Sequence, residues 1–300
     1  MLRTLFLFLC IPSLGLSQTV EGNAIIKAPA GSSEIVITTT NRLAGAIHSL
    51  KWNGQEFIDS TDHGRQLQSA SSFGDGKIPH WAESYNPTEA GSRKDSDGPT
   101  STSRLLFLKK SGNELQTITR MAFWLTPEEK SEGHPALNKT KLSDHILTKR
   151  VQLGYRGNSH IIPYQVTFST PIGEQPAISQ FEALTGYMPI KFDQFWKFNP
   201  ASNKFETLSR EMGEQTLPVT LASADGKFAM GILGTDQSAK GFGKPSYGRF
   251  YFPAEKVTKW NCVYRQHTEK GLPPGDYSFS MFVLVGTLED VRQAYIQLLK

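Results

Sequence analysis

Residues 80–92, HWAESYNPTEAGS, place an imidazole, an indole, a phenol, an amide and two carboxylates close together with no hydrophobic period. Such a mixture suits a ligand rich in hydroxyls. Carboxylates and amides read hydroxyl groups, aromatic rings pack on C–H faces, and imidazole exchanges protons near neutral pH. On that reading Trp81 or Tyr85 is a platform, Glu83, Glu89 and Asn86 face hydroxyls, and His80 and Glu89 are candidates for proton transfer. The same letters have a plainer use, because Asn86-Pro87-Thr88-Glu89 also spells a capped turn or helix start.

Two further clusters carry comparable chemistry. In SQFEALTGYMPIKFDQFWKF, residues 179–198, strict alternation puts Phe181 and Ala183 on one face and Glu182 and Leu184 on the other. Glu182 must then reach water or find a buried partner, which makes it a third candidate for proton transfer. Gly186 breaks the run and projects Tyr187 from a strand end, as a substrate-binding candidate. Phe192, Phe195, Trp196 and Phe198 read as core and rim. In the third cluster, Asn261, Val263 and Arg265 alternate with Trp260, Cys262 and Tyr264, so Asn261 and Arg265 share a face. Arg265 is a binding candidate, although the segment also fits an edge strand with a solvated polar face. Arg65 shares a face with His63, opposite Gln66 and Gln68, and both Arg65 and Gln68 join the binding set.

The elements that must position these residues are strands. Apolar alternation or β-branched runs recur over 34–40, 46–52, 115–123, 149–153, 161–168, 228–233, 247–252, 259–265 and 277–285, punctuated by Gly, Pro, Asn and Asp. Asn53-Gly54 between SLKW and QEFI predicts a type I′ hairpin. One helix is expected near the C-terminus, with Thr287 capping, Asp290 at the third position, and Leu288, Val291, Tyr295 and Leu298 at helical spacing. Residues 91–103 and 127–143 read as long loops. The expected fold class is all-β: a large antiparallel two-sheet sandwich, supersandwich-like, with a short C-terminal helix.

Arg3, the apolar run from Leu5 to Leu16 and the small residues Gly15 and Ser17 follow the layout of a secretory signal peptide cleaved before Gln18. Lipidation at Cys10 is the alternative, though Cys10 sits behind Leu9 inside the apolar run. The division expected is a signal peptide over 1–17 and one β-sandwich domain over 18–300, secreted or periplasmic, with Cys262 the only thiol left. No second apolar run is long enough to span a bilayer, so no membrane partner is expected after signal removal. A net charge of +4 over 300 residues argues against nucleic acid. Asn138-Lys139-Thr140 is a formal glycosylation sequon.

Several chemistries are excluded. The sequence has no GxSxG elbow, HExxH pair, CxxC pair or phosphate-cradling glycine loop, and nothing in it asks for a cofactor. Asp95-Ser96-Asp97-Gly98 is similar to part of a calcium loop but lacks the later acidic ligands, so no metal site is expected.

The stretch NRLAGAIHSLKWNGQEFIDSTDHGR, residues 41–65, resembles the opening of galactose mutarotase-like proteins, where a glycine-alanine strand, a hairpin and a Gly-Arg pair lead into a β-supersandwich. The resemblance implies that fold, a carbohydrate ligand, and contact between Arg65 and sugar. The next residues, Gln66-Leu67-Gln68-Ser69, stand where the family carries a second Asn-Arg pair.

Two functions follow. One is a carbohydrate-binding or carbohydrate-active protein working by general acid/base chemistry, as epimerase, lyase or hydrolase. The other is a non-catalytic exported binding or structural protein on the same fold. Convergence of Arg65, His80, Glu83, Glu89 and Glu182 in one pocket would favour the first, and scatter the second.

Overall fold

The computed structural model describes residues 20–237 and 241–300; the expected leader and Cys10 lie outside them. The strands form two hydrogen-bonded layers in which neighbours run antiparallel. One layer runs Ala24–Ala30, Ser33–Thr39, Ile47–Trp52, Leu67–Gly74, Ile178–Pro189, Val257–His267, Ser246–Phe252, Gly213–Gln215. The other runs Arg104–Ser111, Glu114–Phe123, Leu142–Gln152, Ile161–Thr170, Gly275–Gly286, Ala229–Gly234, Val219–Ala222, Gln194–Asn199, Lys204–Leu208. The short strand Pro87–Thr88 pairs with both layers and joins them into one network.

Period-two alternation builds the core between the layers. Phe181 from the first layer packs on Phe168 and Phe279 of the second, with ring centroids 5.0 and 5.2 Å apart, and Tyr264 stacks on Phe279 at 4.6 Å. Phe192, Phe195 and Phe198 are buried, as a sandwich core requires. The hairpin at Asn53-Gly54 forms, with φ of 48° and 74° and Trp52 facing Gln55. A β sandwich of this kind was legible; its details differ from simple alternation in one place that matters.

That place is Ala183. The pairing with Val257–His267 jumps from Glu182↔Val263 to Leu184↔Cys262, so Ala183 is the extra residue of a β-bulge. Ala183 and Leu184 both turn into the core at 0% exposure, which corrects the expectation that Leu184 shares a face with Glu182. The parity shift sends Glu182, Thr185 and Tyr187 outward together.

The C-terminal helix spans Leu288–Leu299 and opens with a Thr287/Asp290 capping box. Val291, Ala294 and Tyr295 are buried against the second layer, and the Tyr295 hydroxyl donates to Val219 O at 3.0 Å. No helix among the described residues is long and apolar enough to cross a membrane. Cys262 is a free, buried thiol whose pKa burial raises. Asn138 is also buried, its side-chain amide donating to Leu125 O and Thr140 O, so the sequon is closed in the folded chain. Asp95 accepts from the backbone of Ser92 and Thr102 and from the Thr102 hydroxyl; its carboxylate clasps the 92–102 loop.

Candidate functional site

The outward face of the first layer carries a groove of about 280 Å³. Its floor is a grid set by strand register. Gln180 lies opposite Arg265, Thr185 opposite Asn261, and Tyr187 opposite Lys259, while Phe250 flanks Lys259 from the next strand. The strand bearing Asn261 and Arg265 is an interior one, with neighbours on both sides, and not the edge strand that its polar face suggested.

At the centre, the Glu182 carboxylate lies 2.8 Å from the Lys259 ammonium and accepts from Asn261 Nδ2 at 2.7 Å. Burial disfavours the ionised carboxyl, but the Lys259 charge and the hydrogen bonds outweigh it and hold the Glu182 pKa below its ordinary value. Lys259 stays protonated because Glu182 and Tyr187 more than offset its own burial. Its ammonium sits 5.0 Å from the Tyr187 ring centre and 5.1 Å from that of Phe250. Burial raises the Tyr187 phenol against the opposing charge of Lys259, leaving it neutral and able to donate. Gly248 N–H donates to Asn261 Oδ1 at 2.9 Å, which fixes the amide so that its nitrogen faces Glu182. A Cβ at Gly248 would stand 2.3 Å from that oxygen, so the close approach requires glycine.

One end of the groove is held by Arg265, which forks onto Glu214 at 2.6 and 2.9 Å and donates to Gln180 at 2.7 Å. The wall comes from the 80–89 segment, a turn over 82–85 followed by residues 85–89 running strand-like along Leu67–Gly74 through Phe73 N–H to Tyr85 O and Glu89 N–H to Ser69 O. Alternation therefore divides its side chains. Asn86 and Thr88 face the groove, as does Glu83 one turn earlier. Tyr85 and Glu89 turn away.

Glu89 is a correction to the sequence reading. It is fully buried, ion-paired with the equally buried Lys149, and accepts from Ser69 N–H, so it can neither meet a ligand nor transfer a proton to one. Tyr85 donates to Glu174, which also binds His145, on the far side of the wall. His80 lies behind Ser72, 3.3 Å from its hydroxyl, and burial and the Arg265 charge lower its pKa. Trp81 stacks on His134 at 4.5 Å and lines a separate small cavity with His80. Gln68 reaches the floor, but its amide is spent on Gly64 O and Ala90 N–H. Arg65 lies in an adjoining hollow, bound to Asp62 at 3.0 Å and to Glu255 O at 3.2 Å. Of the residues singled out from sequence, Glu182, Glu83, Asn86, Tyr187, Gln68 and Arg265 come together; His80, Trp81, Tyr85, Glu89 and Arg65 do not join them.

Trp124, Phe250 and Lys259 were missed. Lys259 had a signal, since alternation places it on the face of Asn261 two residues on. Trp124 had none: it seats over Gly64, where a Cβ would lie 2.7 Å from its ring, and that contact spans distant sequence.

No family model matches the chain, and no curated protein is detectably related to it in sequence. Solved structures do resemble it. An alpha-mannosidase from Enterococcus faecalis V583 aligns with TM-score 0.52 and 10% identity over 94% of this chain, but over only 31% of that one. A glycosyl hydrolase family 38 protein from E. faecalis gives 0.51 and 11%, over 94% and 32% of the two chains. The Slr1438 protein from Synechocystis sp. PCC 6803 gives 0.48 and 10%, over 91% and 99%. This chain thus spans about a third of the two E. faecalis proteins, and what it shares with them is a β-rich fold that occurs in carbohydrate-active enzymes.

Proposed function

We propose that the chain is a carbohydrate-binding protein of the galactose mutarotase-like type, exported by the leader pattern in residues 1–17, that holds sugar in the groove floored by Glu182, Lys259 and Asn261. The observation that carries the reading is this trio. A carboxylate, an ammonium and a pre-oriented amide, flanked by the Tyr187 and Phe250 rings, offer hydroxyls both acceptors and donors. The folds of the glycosyl hydrolase family 38 protein and the alpha-mannosidase support the same ligand class.

Holding a ligand fits this site better than moving a proton. A general acid or base works best with a pKa near the operating pH. Here Glu182 is held ionised, Lys259 protonated and Tyr187 neutral. The five residues whose convergence would favour acid/base chemistry are scattered, with Glu83 and Glu182 alone in the main groove. The test is calorimetric titration of the protein with a panel of mono- and oligosaccharides, alongside assays for reducing ends and unsaturated products. Binding that Asn261→Ala abolishes, without turnover, is expected. Turnover that depends on Glu182 would establish the acid/base alternative, and silence across the panel would reject a carbohydrate ligand.

A further inference from the structure

We infer that the groove takes a neutral oligosaccharide of at least two sugar units, laid across two lobes that meet at Trp124 and Glu83. The inference rests on the carbohydrate reading above and names its ligand class.

Two concavities lie side by side on this face, of about 280 and about 550 Å³, and Gly64, Glu83, Trp124 and Tyr187 line both. They adjoin at these four shared residues, which form a waist between them. The smaller lobe falls just short of the ~300–1,000 Å³ typical of a small-ligand pocket and the larger lies within it, so a single sugar ring leaves one of them empty. The waist has the parts a glycosidic junction needs. Trp124 supplies an indole lying over Gly64, and Glu83 supplies a carboxylate with no hydrogen-bond or ionic partner among the described residues.

Charge decides which glycan fits. Every cation that reaches the two lobes is already answered: Lys259 by Glu182 at 2.8 Å, Arg265 by Glu214 at 2.6 Å, Arg65 by Asp62 at 3.0 Å and Arg93 by Glu129 at 3.2 Å. A uronate would have to displace one of these internal carboxylates, and it would face the unpaired Glu83. Hydroxyls meet no such penalty, because they donate to Glu83 and the paired carboxylates and accept from the cations and Tyr187. The discrimination is therefore built from repulsion as well as contact.

The experiment is calorimetric titration of the full chain with gluco-, manno-, galacto- and xylo-oligosaccharides of one to six units, and with oligogalacturonates and oligomannuronates of the same lengths. In the neutral series that binds, two or more units should bind at least about tenfold tighter than one, and uronates of equal length at least about tenfold weaker. Trp124→Ala should flatten the length dependence. Glu83→Lys, at a partly exposed side chain without partners, should strengthen uronate binding about tenfold relative to neutral glycans. Equal affinity for one unit and for longer chains, or tighter binding of uronates by the unaltered protein, would overturn this inference while leaving the carbohydrate reading intact. Failure of every monosaccharide and oligosaccharide to bind would overturn both.

Discussion

Replacing Glu182 by Gln removes one charge and almost no volume, so the consequences can be worked from the contacts. Lys259, only 14% exposed, loses its counter-charge 2.8 Å away. Breaking a fully buried pair costs ~3–5 kcal/mol and an exposed one ~0–1 kcal/mol. Glu182 is 18% exposed, so the pair lies between these limits and a loss of roughly 2 kcal/mol is expected, or roughly 5 °C in melting temperature. The new amide can keep both hydrogen bonds, so the loss is one of charge. With its oxygen in the place of Oε1 it still accepts from Asn261 Nδ2 and Lys259, and only its NH2 must find a new acceptor where the second carboxylate oxygen stood. Losing a charged acceptor for sugar hydroxyls removes a further ~1.5–3 kcal/mol of binding, roughly tenfold to a hundredfold in affinity.

The pH dependence follows from the same pair. Glu182 has its folded-state pKa depressed below the ordinary 4.5, so its contribution is complete above that pH and fades as pH falls through the depressed value. Lys259 is raised above its ordinary 10.5, so its contribution is complete below that pH and fades as pH climbs through the higher value. The stability gap between the unaltered protein and Glu182→Gln should be flat from about pH 5 to about pH 10 and close at acid pH. Thermal scans across that range, paired with calorimetry, check it. A gap that is absent at neutral pH, or grows on acidification, refutes the ion-pair argument. Affinity retained while turnover of a glycan drops roughly a hundredfold would make Glu182 a proton-transfer group instead.

Other expectations concern the supports of the site. Gly248→Ala places a Cβ 2.3 Å from Asn261 Oδ1, and should cost about 1–3 kcal/mol of stability and weaken glycan binding in a titration. Glu89→Gln strands the buried Lys149 charge and should lower stability in urea unfolding by ~3–5 kcal/mol, with the affinity of the folded protein unchanged; changing both residues to Met should recover most of the loss. Ending the chain at Gly286 removes Val291, Ala294 and Tyr295 from their buried seats and should lower the melting temperature, whereas an unchanged melting curve would mean the helix is a loose tail. Intact mass of exported protein should begin at Gln18; retention of residues 1–17 or a lipid mass on Cys10 would contradict the leader.

Local signals in the sequence were reliable where one short stretch decides the structure. Asn53-Gly54 needs only its own φ angles, and Thr287 with Asp290 closes its cap within three residues. Alternation through Trp260, Asn261, Cys262 and Arg265 held because that strand has no bulge within the segment. It failed at Ala183, since an extra residue leaves no mark in composition and reverses the face of all that follows. Strand Leu67–Gly74 was missed because LQSASSFG is small and polar, yet nearly all of it is buried, with residues 85–89 hydrogen-bonded along its edge. Glu89 misled for a related reason. Its partner Lys149 is sixty residues away, and nothing near Glu89 in sequence says that it points inward.

The central claim, that sugar binds in the groove over Glu182 and Asn261, is tested most directly by an NMR titration that follows side-chain N–H signals. As an oligosaccharide is added, the amides of Asn261, Asn86 and Gln180 and the indole of Trp124 should shift together on one binding curve, while the Trp81 indole behind the wall stays still. Saturable sugar binding that moves Trp81 and leaves the Asn261 and Trp124 signals in place would contradict the account.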